Sequence, residues 1–410
     1  MKIWPLIQTI KRQLKCKGEF SVNIPKDIKR RILTPDDGYD YFFGYYDLPF
    51  IDSTDRYHLL HRVKHSFMDG LPTKDDVAEL GYVDTKTGEV TIFAETTAWN
   101  FQQGAMLQWN LAKPDEEVIF NIRDGEEFRA VTLNLKTGKR KIAERAVANV
   151  SPDGKWGLSV NMSRIYDFRP GYGYSDVPDK FADIPQPDND GIFLVDMETG
   201  KSKLIVDYAR IMREFPTETF KDAKFVVNHI TFNTASNRFL FLLRNFKTET
   251  VRKWSTWLYT SDLEGNLYPL LSETMVSHYH WKDEKTILGY LRYQDNDGVF
   301  ELEDLTHNAV DLRHPLFRWD LHTIYSPNRR YFIGDDYPDP ESNRHIYIHD
   351  FKTGESEELF KEFSKAPPIG DNRCDLHNRW THDGRRITYD STHRGKRDIC
   401  ELDVSFLYED

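Results

Sequence analysis

Residues 192–206 read IFLVDMETGKSKLIV: an apolar run, a D-x-x-T-G turn, and a second run of mixed polarity. Two strand-forming runs around so short a turn make an antiparallel hairpin, and glycine in the turn supplies the positive φ it demands. The unit recurs as GYVDTKTGEVTIF (81–93), VTLNLKTGKRKIA (131–143) and LYTSDLEGNLYPL (258–270). It recurs again as FELEDLTHNAVDL (300–312), with Asn308 in the glycine slot, and IYIHDFKTGESEELF (346–360). A seventh copy, DICELDVSFLYED (398–410), has no closing strand of its own, and IKRRILT (28–34) is expected to supply it.

A second signal alternates with the hairpins. HITF-NTASNR, HYHW-KDEK, HTIY-SPNRR and HNRW-THDGRR each place a histidine three residues ahead of an aromatic that opens a turn: His229, His278, His322 and His377. In earlier units the same slot holds Asp47, Met106 and Val147. Each unit therefore offers a short inner strand, a strand after the turn, and a hairpin. Four antiparallel strands repeated seven times predict an all-β fold, a seven-bladed β-propeller closed by an N-terminal strand. The propeller is expected over 28–410, with 1–27 as a basic segment ahead of it.

Within that segment Trp4, Ile7, Ile10 and Leu14 recur at helical spacing among Lys11, Arg12, Lys15 and Lys17. A short amphipathic helix follows, able to make peripheral contact with an anionic membrane through residues 1–20 or to pack on protein. No secretory signal or membrane span is recognisable there, and three scattered cysteines make a disulfide framework improbable, so a cytoplasmic location is expected. A net charge of −11 argues against a nucleic-acid partner, which requires a basic footprint. The 21 Tyr, 26 Phe and 9 Trp suit strands and sugar-stacking surfaces.

Radial repetition brings residues in register to one axis, so the four histidines are expected to converge. Residues about fifteen positions later leave the next strand on the same face, which pairs Asp47 with Arg62, His229 with Arg244 and His278 with Arg292. The same rule pairs His322 with the Asp335-Asp336-Tyr337 cluster and His377 with Asp390, while Arg123 and Arg164 leave the second and third units. Arg62, Arg123, Arg292, His278 and the amide Gln103 are thus candidate contacts for an acidic ligand, since guanidinium grips carboxylate in bidentate fashion. Cys374, His377 and His322, with Asp336 as a fourth ligand, make a candidate zinc corner. The insertion RPGYGYSDVPDKFADIPQPDNDG (169–191) is long for a propeller loop and is expected to carry function.

Several stretches carry a resemblance: FFGYYDLPF (42–50), WNFQQGAMLQW (99–109), RIYDFRPGYGY (164–174), NHITFN (228–233), DLHTIYSPNRRY (320–331) and RCDLHNRWTHDGRRITYDSTH (373–393). The chain resembles the β-propeller polysaccharide lyases, above all the ulvan lyase type, and more distantly oligogalacturonate lyase. The resemblance implies cleavage of uronic-acid glycans by β-elimination, with an acidic polysaccharide or oligosaccharide as partner. It implies that Arg164, Arg244 or a bound metal, zinc or another divalent ion, neutralises the uronate carboxylate, and that His229, Tyr172 or Tyr174 moves protons. The competing expectation is a non-catalytic propeller that binds acidic glycan during surface-polysaccharide assembly at the inner membrane face.

Overall fold

Asp196 shows why the hairpins form where they do. Its Oδ1 accepts hydrogen bonds from the backbone N–H of Glu198 and Thr199, at 2.8 and 3.0 Å, closing the turn before the strands pair. Gly200 then takes φ 74°, a left-handed value that a side chain would resist. The fifth hairpin departs from this pattern. There Leu305 carries the positive φ, 60°, and Asn308 instead uses its side-chain amide to reach Glu303 Oε2 at 2.7 Å.

The computed structural model describes residues 22–23, 28–246, 254–317 and 319–408. The proposed amphipathic helix around Trp4 to Leu14 lies outside them. Among the described residues the strands assemble into seven antiparallel sheets, six of four strands and one of five. In chain order these are blades 1 to 7, and their inner strands start at Asp40, Gln108, Asn149, Lys224, Val276, His322 and Arg379. The architecture is the seven-bladed propeller expected from the repeats. No helix of the described residues is long and apolar enough to cross a membrane.

Closure comes from the N-terminal side, as expected for IKRRILT. Lys29–Ile32 pairs with Asp398–Asp403 in register Lys29↔Asp403 to Ile32↔Cys400 and becomes the outer strand of blade 7. A few residues earlier, Val22–Asn23 pairs with Glu362 and Lys361 as a fifth strand on blade 6. The same short stretch thus stitches two blades.

Between blades the packing is aromatic and dry. Trp99, Trp109, Trp257, Trp281 and Trp380 are all buried. Trp99 and Trp109 spend their indole N–H groups on the carbonyls of Asp76 and Tyr57, at 2.8 and 3.3 Å, which makes them packing residues rather than open sugar platforms.

The helix Met162–Phe168, whose N-cap Asn161 accepts from the Arg164 N–H, leads into the long insertion of blade 3. Arg164, expected at the glycan site, is instead fully buried inside this insertion. Its guanidinium pairs with Asp179 at 3.0 Å and donates to the carbonyls of Phe181, Ile184, Pro185 and Phe225. Satisfying five fixed acceptors consumes the donor fork, so Arg164 clamps the loop and has no capacity left for a ligand.

Ring closure also rests on charge. Arg30, on the closing strand, pairs with the buried Glu362 of blade 6 at 2.8 Å and donates to Tyr389 at 2.8 Å. Replacing Arg30 by Ala strands that carboxylate. We expect Arg30→Ala to cost about 3 kcal/mol, the low end for breaking a buried pair, because Glu362 is already pushed up by burial and can take a proton. Urea unfolding followed by tryptophan fluorescence measures this, and a loss below about 1 kcal/mol would mean that the pair does not hold the seam.

Candidate functional site

The four aligned histidines do meet at the axis. Ring centroids lie 6.2 Å apart for His229 and His278, 3.9 Å for His278 and His322, and 4.6 Å for His322 and His377. The backbone is bent to aim them. In the inner strand of blade 4 the ladder pairs Asn228 with Leu242 and Ile230 with Phe241, leaving His229 as a bulge residue at φ 51°. His377 sits at φ 46°, and Met106, in the same slot of blade 2, at φ 52°. A methionine shares the conformation, so it does not depend on histidine; His278 and His322, in the same slot of blades 5 and 6, lack it.

Two of the rings present bare nitrogens to a common point. His377 Nδ1 lies 2.8 Å from the Gly44 carbonyl, which can only accept, so the ring proton is on Nδ1 and the Nε2 lone pair is free. His322 Nδ1 lies 3.2 Å from Asp335 Oδ2, which fixes that ring in the same sense. The Nε2 atoms of both are buried and have no hydrogen-bond partner among the described residues. Asp375 completes the group, with one ligand atom from each residue lying within 4.8 Å of the others. An imidazole whose far nitrogen is held by a carboxylate or carbonyl is the usual form of a metal-ligating histidine. His278 stands beside the cluster, its Nδ1 held by Asp320 at 2.9 Å.

Electrostatics fit this reading. Burial alone would raise the Asp375 carboxyl, but Arg373 and Arg344 beside it hold it well below the usual carboxylate range. Burial would likewise lower His322, yet Asp335 overrides it and raises the ring, while His377, buried next to His322, is held well below its ordinary value.

A phenol, an arginine and a further histidine stand near this cluster. Tyr172, from the insertion, packs its ring edge-on to His229 at 5.6 Å, and its hydroxyl accepts from Arg373 at 2.8 Å. Arg373 in turn grips Asp375 through Nε at 3.0 Å, so one guanidinium links the phenol to the cluster. His229 stacks on Tyr45 at 4.9 Å and makes long contacts, 3.5 Å each, with the Tyr45 hydroxyl and the Gln103 amide. Burial and then Arg244 hold the His229 ring well below its ordinary pKa, so it is neutral, and burial pushes Arg244 down to about 10.

Of the residues expected from sequence, His229, His278, His322, His377, Tyr172, Arg244 and Gln103 gather here. The others do not. Cys374 turns away: its thiol is pushed up to about 12 by burial and contacts the Asp375 carbonyl. Asp336 spends its oxygens on the His345 N–H at 2.9 Å and the Tyr347 hydroxyl at 3.1 Å. The Tyr174 hydroxyl accepts from Asn121 at 3.0 Å inside blade 2. Arg62 pairs with Glu79 at 2.7 Å, and Arg292 with Asp297 at 2.6 Å on an exposed hairpin. Arg123 donates to the Ser175 carbonyl at 2.8 Å and tethers the insertion.

Asp375 and Arg373 were not anticipated. Asp375 lies two residues before His377 in RCDLH, which marks it only as a neighbour in sequence. The segment is irregular and His377 lies at φ 46°, so strand alternation could not have given the direction of either side chain.

No family model matches the sequence, and no curated protein matches it either. Solved structures do match. An oligogalacturonate lyase from Vibrio parahaemolyticus is similar over 95% of this chain and 98% of its own, at 14% identity and a TM-score of 0.65. An oligogalacturonate lyase in complex with manganese is similar over 95% and 97%, at 13% identity and a TM-score of 0.67. At such identities the likeness establishes the propeller fold alone.

The relocation of Asp336 has a measurable consequence. Burial pushes its carboxyl up to about 6 from an ordinary 3.8. A raised folded pKa contributes stability that is full below pH 3.8 and is lost as pH rises through about 6. Asp336→Asn, which cannot ionise, should therefore gain on the wild type between pH 4 and pH 7, by up to about 3 kcal/mol. Chemical unfolding of both proteins across that range checks this, and a constant offset would be the contrary result.

Proposed function

We propose that this protein is a lyase that cleaves uronic-acid-containing glycans, short oligosaccharides in particular, by β-elimination with a divalent cation at His322, Asp375 and His377. The observation that carries the reading is the pair of buried Nε2 lone pairs converging with Asp375 opposite a wall of neutral histidine, tyrosine and arginine. Two imidazoles and a carboxylate suit a borderline divalent ion, zinc or manganese, and the loss of Cys374 from the set removes the thiolate that would favour zinc. Such an ion supplies positive charge to the uronate carboxylate and so acidifies the C5 proton. The likeness to oligogalacturonate lyases, one of them a manganese complex, supports this reading; an ulvan-type substrate remains within the same proposal.

The chain's own residues can carry out the elimination. His229, held neutral, has a lone pair to take the C5 proton. The electron pair left behind forms the C4–C5 double bond and expels the C4 oxygen. Tyr172 accepts from Arg373, and its own proton, which makes only a long 3.5 Å contact with Gln102 Oε1, can pass to that leaving oxygen. Arg244, buried beside the histidine, adds fixed positive charge for the carboxylate.

Two measurements test this. Elemental analysis of the purified wild type should find about one divalent ion per chain, lost from His377→Ala and from Asp375→Asn. Mixed with a panel of uronate oligosaccharides, the metal-loaded wild type should release unsaturated uronate absorbing in the near ultraviolet. His229→Ala should slow that release by about a hundredfold or more. Folded, metal-loaded protein that binds these glycans and never yields unsaturated product would point to the non-catalytic glycan-binding propeller instead.

A further inference from the structure

The stretch Tyr45-Tyr46-Asp47 of blade 1 reaches across the axis. Tyr45 stacks on His229 of blade 4, Tyr46 donates to the Tyr279 carbonyl of blade 5 at 2.7 Å, and Asp47 Oδ2 accepts from the Thr231 hydroxyl of blade 4 at 2.8 Å. Asp47 holds the slot that histidine fills in blades 4 to 7, yet it stands apart from the cluster of His322, Asp375 and His377. A cavity of about 20 Å³ is lined by both Asp47 and His229, together with Gln103, Asn228 and Thr231. The carboxylate and the candidate base thus share one chamber.

Its size and lining suit one water. Roughly 10–15 Å³ is enough for a water that meets two to four polar groups. Asn228, on its wall, leaves its buried Oδ1 without a hydrogen-bond partner among the described residues. A water there can donate to that oxygen and to Asp47 while it accepts from a His229 N–H. The proton gradient runs the same way. Burial and then Arg244 hold His229 well below its ordinary pKa, with Arg169, His278 and His322 also facing it, whereas burial pushes Asp47 up to about 6. A proton on the ring therefore moves downhill to the carboxylate. Burial keeps Tyr45, Tyr46 and Tyr279, the phenols near Asp47, well above their ordinary value and neutral. His229 is buried and Asp47 only half-buried, so the carboxylate is the end nearer to solvent.

We propose that a water in this chamber joins His229 to Asp47, and that Asp47 receives through it the proton that His229 takes from the sugar. This rests on the lyase reading above and adds a step to the same site, the reset of the base. The imidazolium N–H bond breaks as the water takes that proton, a water O–H bond breaks as its own proton passes on, and an O–H bond forms on the Asp47 carboxylate. His229 is neutral again, the water is regenerated, and Asp47 releases the proton to solvent. Asp47 acts through His229 and touches no substrate.

The test compares metal-loaded wild type and Asp47→Asn on galacturonate and ulvan oligosaccharides by rapid mixing, with near-ultraviolet absorbance as the readout. The first turnover needs only a neutral His229, so its rate should change by less than about twofold, while steady-state turnover should fall about tenfold and expose a burst of about one product per chain. Asn228→Leu, which removes the water's acceptor and keeps the carboxylate, should give the same split, and it carries the kinetic test alone if Asp47→Asn does not fold. A high-resolution crystal structure of the wild type should show the water within hydrogen-bonding distance of Asp47 and Asn228. Equal slowing of both phases would give Asp47 a merely structural role. That result, an unchanged steady state, or a chamber without water overturns the inference and leaves the lyase reading standing. A folded, metal-loaded wild type that makes no unsaturated product overturns both.

Discussion

Everything at the axis depends on the ring being closed. His377 and Arg379 of blade 7 both donate to the Gly44 carbonyl of blade 1, at 2.8 and 3.1 Å. Asp390 of blade 7 accepts in return from the N–H groups of Phe43 and Gly44. The carbonyl that fixes the His377 tautomer therefore lies across the seam between the first and last blades. The strand Lys29–Ile32 holds that seam on its outer side. A ring that opened there would lose the proton placement that gives His377 its lone pair, so stability and chemistry share one interface.

Burial is the second constraint, because the charged groups in the interior are withdrawn from solvent. Arg344 meets Asp375 at 2.6 Å, Arg379 meets Asp390 at 3.0 Å, and Arg164 meets Asp179 at 3.0 Å, all with side chains essentially inaccessible. Pairs of this kind add little net stability over an apolar core, but removing one partner is expensive. Their value here is geometric. Arg344 and Arg373 hold Asp375 ionised at a fixed point, beside the buried Nε2 atoms of His322 and His377, neither of which has a hydrogen-bond partner among the described residues.

The sequence made the scaffold legible because its information is local and repeated. An aspartate that caps a turn and a glycine with positive φ announce a hairpin without any knowledge of the rest, and six copies with an incomplete seventh announce a ring. Asn308 shows the limit of the method: it occupies the expected slot, yet the turn puts its strained backbone at Leu305. The histidine register survived because a rotational repeat converts equal position in sequence into nearness in space. What did not survive were assignments made by residue type alone. Cys374 was chosen for its affinity for zinc and Asp336 for its charge, and neither preference says which way a side chain points. Arg164 looked like an anion grip and is consumed by backbone carbonyls of a loop whose path only the folded chain reveals.

The Arg373 guanidinium shows how such an arrangement joins separate roles. It contacts Asp375 through Nε and the Tyr172 hydroxyl through Nη2, and its planar, delocalised charge is shared between them. A group that changes charge on one side is felt on the other. Asp375 of the cluster and the Tyr172 hydroxyl are thereby joined through a single side chain. Lysine could not take that place, because a point charge on a flexible stem cannot hold two acceptors in one plane.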